Sequence, residues 1–76
     1  MKDLVEMIAK ALVDKPEDVK VREVSGEHTS VLELQVAKED VGKVIGKKGS
    51  HAQAIRTLLA AASGKTDKRY TLEIID

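Results

Sequence analysis

The stretch that decides the fold is residues 41–56, which read VGKVIGKKGSHAQAIR. Apolar residues at 41, 44 and 45 predict a short helix, and a second helix is predicted from about Ser50 to Ala62. Between them, Gly46-Lys-Lys-Gly49 interrupts the helical pattern. The first amides of a helix have no partner within it and carry partial positive charge. Because glycines let an anion approach the backbone and two lysines add charge, the stretch predicts an anion cradle.

The segments around this stretch predict an α+β domain. Apolar residues at helical spacing predict an amphipathic helix over roughly residues 2–13, which Asp14-Lys15-Pro16 ends. Alternating patterns predict strands around residues 19–24, 32–36 and 70–74, with a turn at 25–28 and a polar loop at 65–69. The order helix, strand, strand, helix, helix, strand predicts a three-stranded mixed sheet with helices on one face. The first two strands would form a hairpin and the third would pair in parallel.

Size and composition indicate one folded domain over residues 1–76. The chain is 42% hydrophobic and 34% charged but has a single aromatic residue, so its core must consist of Val, Leu, Ile and Ala. Thirteen basic and 13 acidic residues leave no net charge. The segment from Lys38 to Arg56 nevertheless has five basic and two acidic residues, so it carries +3 and the remainder carries −3. Positive charge is therefore concentrated around the predicted cradle.

Catalysis, metal binding and membrane insertion lack candidate residues. There is no Cys, which excludes a thiolate zinc site and a cysteine nucleophile. His28 and His51 lack metal-ligand spacing, so we expect no metal, no cofactor and no enzymatic activity. No run approaches the roughly 18 apolar residues of a membrane helix, and Asp3, Glu6 and Lys10 interrupt the apolar stretch that a signal peptide needs. We expect a cytoplasmic location and no association with membranes.

The glycine spacing does not fit the common nucleotide-binding loops. A mononucleotide-binding P-loop has four residues between its glycines and a hydroxyl residue after its lysine. Here Gly42 and Gly46 are separated by three residues, and Lys47 is followed by Lys48. The dinucleotide pattern Gly-x-Gly-x-x-Gly is absent as well. Neither motif therefore accounts for the predicted cradle.

The run Val44-Ile45-Gly46-Lys47-Lys48-Gly49, with Ile55 at the expected later apolar position, resembles the signature of the KH domain. That signature is an apolar pair followed by Gly-x-x-Gly between two helices. The order of elements is similar to the type II variant, and the resemblance covers essentially the whole chain. More narrowly, the chain resembles small bacterial RNA-binding proteins that consist of one KH domain.

The resemblance implies that the Gly46–Gly49 loop clamps about four nucleotides of single-stranded RNA or DNA. In this arrangement the backbone amides of Gly46 to Gly49 meet phosphates, and the Lys47 and Lys48 ammonium groups assist. Near-absence of aromatic residues excludes readers that depend on base stacking, such as the RRM and the cold-shock domain.

Helical spacing predicts what lies beside the loop. If Val44 points into the core, Gly42 and Ile45 face the groove, although Ile45 is also compatible with the core. Ala52 and Arg56 are four residues apart and share a side, so we place Ala52 on the groove floor and Arg56 on its rim. Lys43 and Arg56 are equally compatible with groove contacts and with ordinary surface positions.

Two positions depart from the KH pattern. Many KH domains carry Ile or Leu three residues after the second glycine, whereas this chain has Ala52, so we expect a wider, less apolar floor and little base discrimination. Ser50, which is among the candidate RNA-binding residues, stands where relatives often have a basic residue, and its hydroxyl is also compatible with capping the second helix. His51 is interpreted as an exposed helical histidine and Tyr70 as a strand residue at the sheet surface. The departures at Ser50 and Ala52 both predict weak binding.

The resemblance also implies biological roles and protein partners. It implies an RNA chaperone or post-transcriptional regulator that affects cell shape and cell-wall growth. It further implies self-association as a dimer and pairing with a larger KH-containing protein. The alternative is a KH-fold protein-interaction module with little affinity for nucleic acid, which the neutral net charge and Ala52 favour.

Overall fold

The computed structural model describes residues 1–64 and 68–75 of the chain. Within them, helices and strands follow one another in the predicted order. The helices are α1 (Lys2–Leu12), α2 (Val41–Ile45) and α3 (Ser50–Ser63), and the strands are β1 (Lys20–Ser25), β2 (Thr29–Gln35) and β3 (Arg69–Ile75). Short 3-10 turns lie at Pro16–Asp18, Lys38–Asp40 and Lys47–Gly49. The predicted α+β class is confirmed.

The sheet is mixed and has the order β1-β2-β3. Strand β1 pairs antiparallel with β2, and β2 pairs in parallel with β3, which places Leu32 beside Leu72. Strand β2 begins three residues before the predicted position, because Thr29 and Ser30 already pair with Arg69 and Tyr70 of β3. The buried Ser30 hydroxyl donates to the Glu23 carboxylate at 3.1 Å. Residues 65–67 of the predicted polar loop lie outside the described residues, and Arg69 already belongs to β3.

Among residues 1–64 and 68–75, the buried hydrophobic cluster consists of Val, Leu, Ile and Ala, as the composition predicts. Alternation along β2 directs Leu32 and Leu34 towards the helices, and neither side chain is exposed. The helices cover them with Val5 and Ala9 of α1, Val44 of α2, and Ile55 and Leu59 of α3.

Leu58 of α3 does not join this core and is 49% exposed. Neighbouring helical residues are rotated by about 100°, and Ile55 and Leu59 already occupy the side of α3 that faces the sheet.

The interrupted helix pair α2 and α3 is held by contacts with both the sheet and α1. Helix α3 packs on β3, and α2 packs against α3 and α1. In the part of the chain that the structure describes, no helix has the length and apolar character needed to cross a bilayer. The same residues contain no cluster of three His, Asp or Glu side chains suited to hold a metal ion.

Candidate nucleic-acid interface

The Gly46–Gly49 loop makes a tight turn in which three of its residues have positive φ. Gly46 has φ 77° and ψ 171°, a region that is accessible essentially to glycine alone. Gly49 is left-handed with φ 74°, and so is Lys48 with φ 56°. A left-handed conformation at a residue with a Cβ costs about 1 kcal/mol, and strain of this kind concentrates at ligand-binding turns.

Two of the four loop amides are available to a ligand. The Gly46 N–H donates to the Gly42 carbonyl at 2.9 Å, and the Gly49 N–H donates to the Gly46 carbonyl at 3.0 Å. The expectation that all four amides meet phosphates is therefore wrong for Gly46 and Gly49, because the turn itself uses them. The amides of Lys47 and Lys48 form no hydrogen bond with residues 1–64 or 68–75. Lys47 is helical and Lys48 is left-handed, a succession that turns neighbouring amides into an anion-binding concavity.

The lysine side chains of the loop are also unpaired. Lys47 and Lys48 are exposed, and neither forms an ion pair within the described residues. On α2, Val44 is fully buried whereas Gly42 is exposed and Ile45 is 38% exposed. Val44 therefore lies on the core side of this short helix, and Gly42 and Ile45 lie on the side that is open to solvent. Contact of Gly42 and Ile45 with RNA remains a prediction.

Helix α3 supplies less of a groove than expected. Ala52 is 3% exposed, so its methyl group offers almost no surface to a base. Arg56 is exposed, which agrees with a position at a rim. The expectation that Ser50 caps α3 is wrong, because the helix begins at Ser50 itself and Gly49 takes the capping position without a side-chain hydrogen bond.

Lys43 points into an ion-pair network that we call the Asp40 cluster, formed by Asp14, Lys15, Glu39, Asp40 and Lys43. The Lys43 ammonium lies 2.5 Å from an Asp14 oxygen and 3.4 Å from an Asp40 oxygen. The Asp40 carboxylate is buried and accepts a hydrogen bond from the Lys15 amide at 3.0 Å. The Lys15 ammonium pairs with Glu39 at 3.0 Å. In the structure, then, the charge of Lys43 is directed to carboxylates rather than to the loop.

Protonation in the Asp40 cluster follows from these contacts. Burial would raise the pKa of the Asp40 carboxyl, but hydrogen bonds from the Lys15 and Asp14 amides and from Lys43 outweigh it and lower that pKa. Hydrogen bonds to Asp14 and Asp40 raise the pKa of Lys43. These contacts favour the charged forms of Asp40 and Lys43, and the cluster holds the start of α2 against the chain that follows α1.

Sequence reasoning missed the role of Asp14, Asp40 and His51. The His51 ring donates from Nδ1 to the Lys43 carbonyl at 2.7 Å, although its exposure agrees with the prediction. Asp14 and Lys43 are 29 positions apart, and no local pattern connects them. An acidic residue directly before a helix was the one available hint, at Asp40.

An open surface cavity of about 750 Å³ lies at the other end of α3, not beside the loop. Its polar groups are partly engaged within the protein, since the Ser63 hydroxyl accepts from the Tyr70 amide at 3.0 Å and the Arg69 amide donates to the His28 carbonyl at 2.9 Å. Tyr70 is half-buried against the core rather than fully at the surface. We therefore assign the candidate interface to the loop and not to this cavity.

Comparisons with known proteins agree with this geometry. The sequence profile of the family described as "KhpA/KhpB, KH domain" matches residues 2–74. The RNA-binding protein KhpA of Clostridium perfringens is 61% identical over 75 residues, which cover 99% of this chain and all of that protein. KhpA of Aquifex aeolicus is 50% identical over 76 residues, covering the whole chain and 96% of that protein. KhpA of Chlamydia pneumoniae is 49% identical over 76 residues, covering the whole chain and 97% of that protein. No solved structure gives a significant match. The glycine-lysine loop and the order of helices and strands agree with these similarities. The chain belongs to the KhpA/KhpB family of KH domains.

Proposed function

We propose that this protein binds single-stranded RNA at the Gly46–Gly49 loop and has no catalytic activity. The observation that carries the proposal is that the amides and ammonium groups of Lys47 and Lys48, on one turn, all lack a partner among residues 1–64 and 68–75. The three similar bacterial proteins named above are each called RNA-binding protein KhpA. KH domains recognise single strands by clamping the backbone at this loop.

The mode of binding follows from the groups that remain available. A phosphate in the concavity of the turn would accept hydrogen bonds from the Lys47 and Lys48 amides, and the ammonium groups would neutralise adjacent phosphates. The exposed part of Ile45 offers an aliphatic surface to a neighbouring base, and Arg56 supplies a charge further along. Because Ala52 is buried, base contacts are few, and backbone contacts should dominate the affinity.

Replacing Lys47 and Lys48 by Asp tests this proposal. We expect the double variant to lose RNA binding, because both charges are reversed beside the phosphates, while circular dichroism and the melting temperature stay nearly unchanged. The matched control is Lys2→Asp with Lys20→Asp, which changes net charge equally at two exposed positions outside the loop. Fluorescence anisotropy with a labelled RNA 12-mer measures both. Retained binding in the loop variant, or equal loss in the control, would reject the site.

Salt dependence provides a second measurement on the unmodified protein. If about three phosphates are neutralised, log K should fall against log[salt] with a slope near −2 for a single strand. A slope close to zero would contradict binding through the lysines of the loop.

We also propose, from the family resemblance, a cytoplasmic role as an RNA chaperone or post-transcriptional regulator that affects cell shape and cell-wall growth. Crosslinking in cells followed by sequencing of the bound RNA would test this role. Enrichment of transcripts for envelope proteins supports it, and a random sample of cellular RNA contradicts it.

A second candidate function is protein interaction, as a dimer or with a larger KH-containing partner of the KhpB type. The observation that favours it is the exposure of large apolar side chains on α1 and α3, Met7 at 64% and Leu58 at 49%. Sedimentation of the protein with and without Leu58→Asp tests self-association, and nuclease treatment of captured complexes tests the heteromer. A monomer at all concentrations, together with complexes that nuclease destroys, would leave RNA binding alone.

A further inference from the structure

His51 forms a hydrogen bond that connects the two helices across the loop. It is the second residue of α3, and its Nδ1 lies 2.7 Å from the carbonyl oxygen of Lys43 in α2. A carbonyl oxygen can only accept, so Nδ1 carries the proton and donates it. The carbonyls in the last turn of a helix have no partner within that helix. The histidine therefore supplies the donor that the end of α2 lacks.

The identity of that carbonyl is significant for the loop. In a continued helix, the Lys43 carbonyl would accept from the amide four residues later, which is Lys47. The preceding pair is still formed, since the Gly46 amide donates to the Gly42 carbonyl at 2.9 Å. The chain then turns at Gly46, and the imidazole of His51 takes the place that the Lys47 amide would have occupied. Lys47 thereby keeps its amide free.

The same side chain packs against the turn. A Cβ placed on Gly46 would lie 2.6 Å from Cγ and 2.9 Å from Cβ of His51, so the ring occupies the space beside that glycine. The residue that supplies the accepting carbonyl, Lys43, is held through its side chain by Asp14 and Asp40. The acceptor and the donor are therefore both anchored, one by the Asp40 cluster and the other by its contact with Gly46.

We propose that His51 is a positioning residue for phosphate binding: by occupying the Lys43 carbonyl, it keeps the Lys47 amide available to the RNA backbone without itself contacting RNA. The inference rests on the proposed RNA binding at this loop. On this proposal, the His51 side chain is the reason why the Lys47 amide is not used within the turn.

Three variants at this position separate positioning from direct contact. The side-chain nitrogen of His51→Asn lies one bond beyond Cγ, as Nδ1 does, whereas that of His51→Gln reaches as far as Nε2. We expect His51→Ala and His51→Gln to weaken binding of a labelled RNA 12-mer by about threefold to tenfold, the effect of one hydrogen bond. The affinity of His51→Asn should lie within twofold of that of the unchanged protein, which corresponds to roughly 0.4 kcal/mol of binding free energy. Rescue by Gln but not by Asn would show that the ring contacts RNA and would overturn the proposal. Equal affinity of all three variants would overturn it too.

Hydrogen exchange at the Lys47 amide tests the same assignment without RNA. In the unchanged protein this amide should exchange rapidly and the His51 nitrogen shifts should report protonation at Nδ1. In His51→Ala, Lys47 should become protected as its amide turns to the vacant carbonyl. If Lys47 is protected in the unchanged protein, or stays unprotected in His51→Ala, the proposal fails. If instead the unchanged protein binds no RNA while the hydrogen-exchange results hold, the proposed function fails. The replacement of the Lys47 amide by the His51 ring at the Lys43 carbonyl then still stands.

Discussion

The two ends of α2 carry charges of the same kind that are used in opposite ways. At the first end, the Asp40 cluster pairs each ammonium with a carboxylate, and the Asp40 side chain is buried. At the second end, the Gly46–Gly49 loop presents Lys47 and Lys48 with neither their ammonium groups nor their amides paired within the described residues. Lysines that satisfy carboxylates fix the helix in place, whereas lysines left unpaired on a strained turn are suited to an external anion. The difference between Lys43 and Lys48 is one of partners, not of residue type.

The largest effect is expected at the first glycine of the loop. Gly46→Ala should lower the free energy of unfolding by about 3 kcal/mol, because its backbone conformation is unfavourable for a side chain and the added Cβ would clash with His51. Gly49→Ala should lower it by only about 1 kcal/mol, since its surroundings are open and the left-handed φ is the sole penalty. Urea denaturation of both variants measures the difference. Equal losses would show that His51 does not fill the space beside Gly46.

The next effect is expected in the Asp40 cluster. Asp40→Asn keeps the size of the side chain but removes the charge that attracts Lys43. It also replaces one of the two accepting oxygens by an NH2 donor, so the side chain can no longer accept from both the Lys15 amide and the Lys43 ammonium. We expect the melting temperature to fall by about 10 °C. Glu17→Gln serves as control, because Glu17 is an exposed carboxylate without an ion pair within the described residues. An unchanged melting temperature in Asp40→Asn would show that the cluster does not anchor α2.

A smaller effect distinguishes Lys48 of the loop from Lys43 of the Asp40 cluster. Lys48→Met should weaken RNA binding about fivefold with little change in melting temperature, because one phosphate contact is lost. Lys43→Met should lower the melting temperature by a few degrees and leave the salt slope of RNA binding unchanged, since its charge is directed to Asp14 and Asp40. A reduced salt slope in Lys43→Met would return this residue to the RNA-binding surface.

The smallest effect is the pH dependence of stability. The pKa values of Asp40 and Glu39 are lowered by their contacts, so the stability they contribute is complete above the ordinary carboxyl range and is lost as pH falls through the lowered values. The pKa values of Lys15 and Lys43 are raised, so their contribution is complete below the ordinary lysine range and is lost as pH rises through the raised values. The melting temperature should be flat between about pH 5 and 9 and fall below about pH 4 and above about pH 10.5. Asp40→Asn should flatten the acid limb, and an unaltered limb would contradict the assignment.

Much of the fold is determined by patterns that act over a few residues. Alternating and helical spacings of apolar residues located the strands and helices, and the interruption at Gly46 located the turn. Both are local properties, because side-chain direction in a strand or helix follows from the backbone repeat. The solvent side of α2, with Gly42 and Ile45, was predictable for the same reason.

The tertiary structure decided which polar groups remain available. Local spacing could not show that Lys43 is paired with Asp14, that His51 bonds to a carbonyl of the preceding helix, or that the loop uses the amides of Gly46 and Gly49. Nor could it show that Leu58 is exposed and Ala52 is buried. These outcomes depend on how the helices pack on the sheet, since a hydrogen bond or ion pair is set by distance in space and not by distance along the chain. The sequence by itself determined where the glycine-lysine turn would form, and packing determined which of its amides remain without a partner among the described residues.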